Sequence, residues 1–217
     1  MAYDFDTIIN RFGTNSVKWN IDESELPMWV ADMDFATAPA ITQAVINKAV
    51  AGVFGYGCVP QTFNDAIISW WSSRYGWKIE SEWIYFCDGV VPSISSIMRT
   101  LTDPGDSILV QSPVYDCFYS SIRNCDRTAM VNNLVYDQGG FHIDWADLEA
   151  KLSDPTLRLF LLCNPQNPTG QIWSSQDLAR IGDLAHEHQV TVISDEIHGD
   201  ITAPGISYIP FAKVSPV

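Results

Sequence analysis

The chain has 217 residues, 47% of them hydrophobic, enough for a sizeable core in one large domain or two small ones. Twelve Lys and Arg against twenty-six Asp and Glu leave a net charge of −14, which repels phosphate backbones and anionic membrane surfaces. Neither nucleic acid nor a membrane is expected as a partner.

The N-terminal stretch MAYDFDTIINRFG has no basic leader followed by an apolar run, and no segment is apolar for the length that spans a bilayer, so a soluble cytoplasmic protein is expected. Residues 1–35 differ in texture from the rest of the chain. Regular punctuation begins at residue 36. Thr37-Ala38-Pro39 starts a helix with apolar Ile41, Ala44, Val45 and Ala49, and a second begins near Pro60 and carries Phe63, Ile67 and Trp70. After Gly76 short apolar strands alternate with helices. The strands are WIYFC (83–87), SILVQ (107–111), LRLFLLC (157–163) and VTVIS (190–194), with helices near 92–101, 115–124, 145–152 and 175–188. A Ser174-x-x-Asp177 capping signal opens the last of these. LRLFLLC lacks polar alternation, as expected when both faces of a parallel sheet are covered. The pattern predicts a doubly wound, mostly parallel α/β domain over 36–217. Five cysteines, at 58, 87, 117, 125 and 163, form no C-x-x-C pair and are expected as buried reduced thiols.

In such sheets ligands bind outside the carboxyl ends of the strands. After the first strand, CDGVVPS places Gly89, Val90 and Val91 at a turn into a helix. Their N–H groups can cradle a phosphate, or the turn is an ordinary connection. Tyr115, in QSPVYDCF, heads another helix and either stacks on a planar ligand or joins the core. In CNPQNPTG, Pro165 and Pro168 hold Asn164 and Asn167 extended, and Gly170 permits a tight turn. This loop can aim the Asn167 amide at a ligand oxygen, or its asparagines simply stabilise the turn. SDEIHGD, after the last strand, offers Asp195, Glu196, His198 and Asp200. A metal site is not expected, because alternation sends residues 195 and 196 to opposite faces. The HEH at 186–188 fails as a metal helix for a similar reason, since i and i+2 diverge. An Asp at the end of a buried strand calls for a facing cation.

Taken together, ADMDFATAP (31–39), GVFGYG (52–57), DGVVPS (88–93), SPVYDCFY (112–119), CNPQNPTG (163–170) and VISDEIHGD (192–200) resemble the fold-type I pyridoxal-phosphate enzymes. The likeness is strongest to the MalY/PatB branch of cystathionine β-lyases, and the motifs occur in family order over nearly the whole chain. The resemblance implies that Asp195 pairs with the pyridinium nitrogen of pyridoxal 5'-phosphate, keeping it protonated. It implies that Asn167 bonds the ring oxygen, that Tyr115 stacks on the ring, and that the backbone at Gly89, Val90 and Val91 holds the phosphate. Tyr56 would reach the phosphate of a neighbouring subunit's cofactor, the complete enzyme being a homodimer. His198 stands where a Tyr commonly donates to the ring oxygen in the wider superfamily, and SDEIH is usual in the lyase branch. The implied reaction is α,β-elimination of an amino-acid thioether to pyruvate, ammonia and a thiol. A class I/II aminotransferase is the alternative.

One expectation runs against activity. The family requires a Schiff-base lysine downstream of SDEIH, in a motif resembling S-x-S-K-x-F-N, ahead of a C-terminal small domain. Lys18, Lys48, Lys78, Lys151 and Lys213 all lack that motif, and FAKVSP around Lys213 resembles a surface loop. The chain is thus expected to be an N-terminal half: residues 1–35 would join the small domain, 36–217 form an incomplete large domain, and no catalytic lysine is present. For the chain alone, a non-catalytic remnant that binds a cofactor or a partner is a further alternative.

Overall fold

The apolar runs SILVQ, LRLFLLC and VTVIS become neighbours in one sheet in the computed structural model, which describes residues 3–214. Its six strands are β1 (Ser107–Ser112), β2 (Thr128–Asn133), β3 (Val135–Asp137), β4 (Gly140–His142), β5 (Leu157–Cys163) and β6 (Thr191–Asp195). Four of them run parallel in the order β2-β1-β5-β6, while β3 and β4 make a separate antiparallel hairpin. The chain steps outward from β1 to β2 and then returns to the other side of β1. In α/β sheets such a reversal, here between β1 and β5, is where ligands bind outside the carboxyl ends of the strands.

Among the described residues the α-helices are α1 (Pro39–Ala51), α2 (Gln61–Tyr75), α3 (Val90–Leu101), α4 (Asp116–Asn124), α5 (Trp145–Leu152), α6 (Ser175–Glu187) and α7 (Phe211–Val214). Strand alternation sorts the core into two layers. Leu109, Phe160 and Leu162 pack with Leu148 and Leu152 of α5 and Leu178 and Ile181 of α6. Ile108, Val110, Leu159 and Leu161 face the other way, onto Ile94 and Met98 of α3 and Phe118 and Ile122 of α4. LRLFLLC is apolar on both faces because both are covered, and each fully buried Phe160, Leu161 or Leu162 stabilises by about 1.5–3 kcal/mol. The expected cap of α6 is present as a reciprocal box, Ser174 Oγ accepting from Asp177 N at 3.1 Å and the Asp177 carboxylate accepting from Ser174 N at 3.3 Å. A cap of this kind contributes about 1 kcal/mol.

Two expectations fail and one strand was unforeseen. WIYFC is not a strand: Ser81–Trp83 is a 3-10 turn, and beyond it the backbone is extended at Ile84 with no strand beside it among the described residues. A strand exists only through its neighbour, and here Trp83, Tyr85 and Phe86 are left exposed. β2 was not expected, since TAMVNN is broken by polar residues; among the described residues it pairs on one side only, and it is half-buried. Of the cysteines, Cys125 and Cys163 are buried, but Cys58 and Cys87 are exposed, because no layer covers the open chain on which they lie.

The chain divides into two compact units, residues 1–58 and 59–217. In the first, residues 3–38 form neither helix nor strand, and a charge cluster gives them their shape. Asp34 accepts from Lys18 Nζ, Trp19 Nε1 and Arg11 Nη1 at 2.7, 2.7 and 2.8 Å, and Arg11 also reaches Asp32 at 2.6 Å. The Lys18 bond first, then that of Trp19, holds the Asp34 carboxyl at about 2. No residue of α1 is buried. In the second unit no residue of α2 is buried either. No helix among the described residues is long and apolar enough to cross a membrane.

Candidate functional site

Asp195 closes β6, paired in register with Cys163 at the end of β5. Ile193, two residues earlier, packs in the α3–α4 layer, so alternation turns Asp195 to that same side. It is 9% exposed, and its carboxylate accepts one bond, from Ile197 N at 3.2 Å. Among the described residues no ion pair includes it. Burial lifts its carboxyl above the usual range, opposed by the Ile197 N–H and by the charge of His198. Burial likewise pushes the adjacent Cys163 thiol up to about 11. A buried carboxylate without a cation is costly, and a cationic ring nitrogen is chemically suited to it.

Tyr115 occupies the cap position of α4, at the carboxyl end of β1, and its ring meets Phe118 edge-on at 6.0 Å. It is 37% exposed, so it does not join the core. The Cys117 side chain, then burial, push its phenol up to about 12, with Asp116 and Asp195 close enough to add to the effect. Gly89 caps α3 with no side-chain bond, leaving the first N–H groups of Val90 and Val91 without intrahelical partners. Ser93 closes the turn back onto Gly89 O through both its N–H, at 3.2 Å, and its hydroxyl, at 2.6 Å. α3 and α4 pack in one layer, so Gly89, Tyr115 and Asp195 share one side of the sheet.

The CNPQNPTG loop divides its asparagines by role. Asn164 is fully buried: its N–H donates to Asp195 O at 3.0 Å, its amide donates to Ile209 O at 3.2 Å, and its oxygen accepts from Trp173 N at 3.3 Å. The backbone closes behind it, Gln166 N to Gln171 O and Gly170 N to Gln166 O both at 2.8 Å, with Gly170 at φ 72. Asn167 is half-buried, tied by its backbone N–H to Cys163 Sγ at 3.3 Å, and its amide has no partner among the described residues. It lines a cavity of about 540 Å³ together with Gly170, Ile172, His198, Ile201 and Thr202.

Asn167 and His198 therefore share a cavity, and Asp195 and Tyr115 share a face. No hydrogen bond among the described residues joins Gly89, Val90 or Val91 to these four. Tyr56 belongs to the other unit, where it is fully exposed. Glu196 had no expected role beyond its rejection as a metal ligand. It points away from Asp195, accepting from Ser194 Oγ at 2.9 Å and Phe211 N at 2.8 Å, and Phe211 lies in the opposite core layer. None of the five lysines lines the cavity; Lys213 Nζ donates to Tyr75 O at the end of α2.

Comparison with known proteins gives consistent matches. A family model described as "Aminotransferase class I and II" matches residues 26–216. Cystathionine beta-lyase PatB of Bacillus subtilis is 45% identical over 98% of this chain and 56% of its own length. Protein MalY of Escherichia coli is 35% identical, again over 98% of the chain and 56% of its own length. The crystal structure of a PLP-bound C-S lyase from Staphylococcus hominis superposes with a TM-score of 0.92 at 33% identity, covering 100% of this chain and 56% of that one. The chain thus spans a little over half the length of these relatives.

Proposed function

Because the chain belongs to the aminotransferase class I and II family, we propose that it is the cofactor-binding part of a pyridoxal-phosphate carbon–sulfur β-lyase. Acting as a cytoplasmic homodimer, the complete enzyme would split cystathionine or another cysteine thioether into pyruvate, ammonia and a thiol. The observation that carries this reading is Asp195, a buried carboxylate at a strand end that enters no ion pair among the described residues. Asp195 would hold the proton on the ring nitrogen, and Asn167 and His198 would hold the ring oxygen. Tyr115 would cover one face of the ring and exclude water from it. The N–H groups of Val90 and Val91, freed by the turn at Gly89, would take the phosphate. Tyr56 would serve the phosphate site of a neighbouring subunit. When bound, the cofactor supplies an electron sink for the pair left by the breaking Cα–H bond. Asp195 sustains that sink because a carboxylate, unlike an amide, stabilises the ring-nitrogen proton.

The relatives' names and the SDEIH histidine favour the lyase over an aminotransferase. For the chain by itself, a cavity with no lysine favours cofactor binding without turnover. In this reading residues 1–35 would pack with a small domain, and the amine that moves the Cα proton would come from the part of the relatives' length that this chain does not span. The test is pyruvate release from cystathionine by the complete enzyme with no 2-oxo acid added. Product formation that depends strictly on a 2-oxo acid acceptor would make it an aminotransferase.

A further inference from the structure

We propose that Asp200 is a positioning residue for His198, fastening the turn that carries the imidazole to helix α2. The proposal rests on the role given to His198 under Proposed function. The turn at 197–200 follows β6 directly, with His198 on the cavity side and Asp200 at the surface. Both carboxylate oxygens of Asp200 lie 3.1 Å from Trp70 Nε1, and Oδ1 also accepts from the Tyr75 hydroxyl. Trp70 and Tyr75 belong to α2, 130 and 125 residues earlier in the chain. No residue of α2 is fully buried, and these side-chain bonds tie it to the turn.

A second set of contacts grips the neighbouring residue. The Tyr75 hydroxyl shares its one proton between Asp200 and Gly199 O, 3.2 Å away, and its ring meets the buried Tyr208 ring edge-on at 5.3 Å and 85°. The Tyr208 ring lies against Gly199 so closely that a Cβ there would come within 2.9 Å of Cε1. Gly199 is thus held between Tyr208 and the Tyr75 hydroxyl, while Asp200 is held by Trp70 and Tyr75. His198 precedes this gripped pair, so the grip bears on where the imidazole sits in the cavity it shares with Asn167. Burial, then the Asp200 bond, pushes the Tyr75 phenol up to about 12, which keeps it a donor to Asp200 at neutral pH.

The test uses the 217-residue chain with Asp200→Ala, Asp200→Asn and Tyr75→Phe, and reads two signals besides the melting temperature. One is the His198 imidazole resonance without cofactor, assigned by its loss in His198→Gln; the other is the dissociation constant for pyridoxal phosphate by calorimetry. Asp200→Ala should move the resonance toward that of the exposed His186 and weaken cofactor binding about tenfold. Asp200→Asn keeps an acceptor for Tyr75 and should recover most of both. A lower melting temperature with the His198 resonance unmoved would overturn the proposal, leaving Asp200 a merely structural tie. Where Asp200→Ala does not fold, Tyr75→Phe removes the hydroxyl that reaches both Asp200 and Gly199 O, leaves Trp70 on Asp200, and is read in the same way. A moved resonance with cofactor affinity unchanged in both Asp200→Ala and His198→Gln would uphold the positioning of His198 and overturn its role at the cofactor.

Discussion

Replacing Asp195 with Asn should make the cofactor-free chain more stable and a poorer binder at once. The substitution removes the charge but keeps an oxygen for the Ile197 N–H at 3.2 Å. A buried polar group left without its partner costs about 1–3 kcal/mol, and more when charged. Relief of that cost should raise the melting temperature by about 2–4 °C per kcal/mol for a chain of this size. The new amide N–H group wants an acceptor of its own, which places the gain toward the lower end. Its sign with pH is fixed by the raised carboxyl of Asp195. A folded-state value above the ordinary 3.8 means that the native chain carries no penalty below that pH, where the group is protonated in both states. The penalty enters as pH rises through the raised value and is complete above it. The stabilisation by Asn should therefore be absent in acid and grow toward neutrality. In parallel, loss of the ionic partner of the ring nitrogen should weaken pyridoxal phosphate binding at least about tenfold. Thermal melts from about pH 3 to about pH 8, with a cofactor titration at neutral pH, measure both effects. A melting temperature unchanged or lowered by Asn across that range, or an unchanged affinity, refutes the assignment.

Gly199→Ala should destabilise by about 1–3 kcal/mol, because the new methyl group meets the Tyr208 ring at 2.9 Å; a melt indistinguishable from that of the parent chain would show that the ring gives way freely. In the unit of residues 1–58, the lowered carboxyl of Asp34 contributes stability that is present above 3.8 and is lost as pH falls toward about 2. The near-ultraviolet signal of Trp19 should follow that loss, and Asp34→Asn should reproduce it at neutral pH. Borohydride reduction after incubation with pyridoxal phosphate should give scattered, substoichiometric lysine labelling, since no lysine lines the cavity. Stoichiometric labelling of one lysine in the peptide map, Lys213 above all, would contradict this.

Periodicity sufficed where burial is two-sided. β1 and β5 announce themselves as unbroken apolar runs because helices cover both their faces, and the motif order placed Asp195, Tyr115 and Asn167 at strand ends. The rule that consecutive strand residues point to opposite faces foresaw that Asp195 and Glu196 face opposite layers. Periodicity misled at WIYFC, whose composition is strand-like but which has no neighbour to bond, and it missed β2, whose polar residues suit a one-sided edge position. Within CNPQNPTG no local signal told the buried clamp Asn164 from Asn167, whose amide has no partner among the described residues, for the difference lies in Asp195, Trp173 and Ile209, all outside the motif. Asp200 was legible only as a rejected metal ligand, because its partners Trp70 and Tyr75 belong to another helix.

Asp195 sits on β6, and β6 is the last strand of the sheet, bonded to β5 alone among the described residues. An edge strand frays more readily than a central one and offers its free N–H and C=O groups to any extended segment laid alongside. Each opening of that strand would carry Asp195 out of register with Cys163. Whatever pairs along the free side of β6 should therefore tighten the site, and by reciprocity a ligand held by Asp195 must favour that pairing by the same factor. Assembly and cofactor capture become two readings of one equilibrium, measurable as slower amide exchange in residues 191–195 when either event occurs.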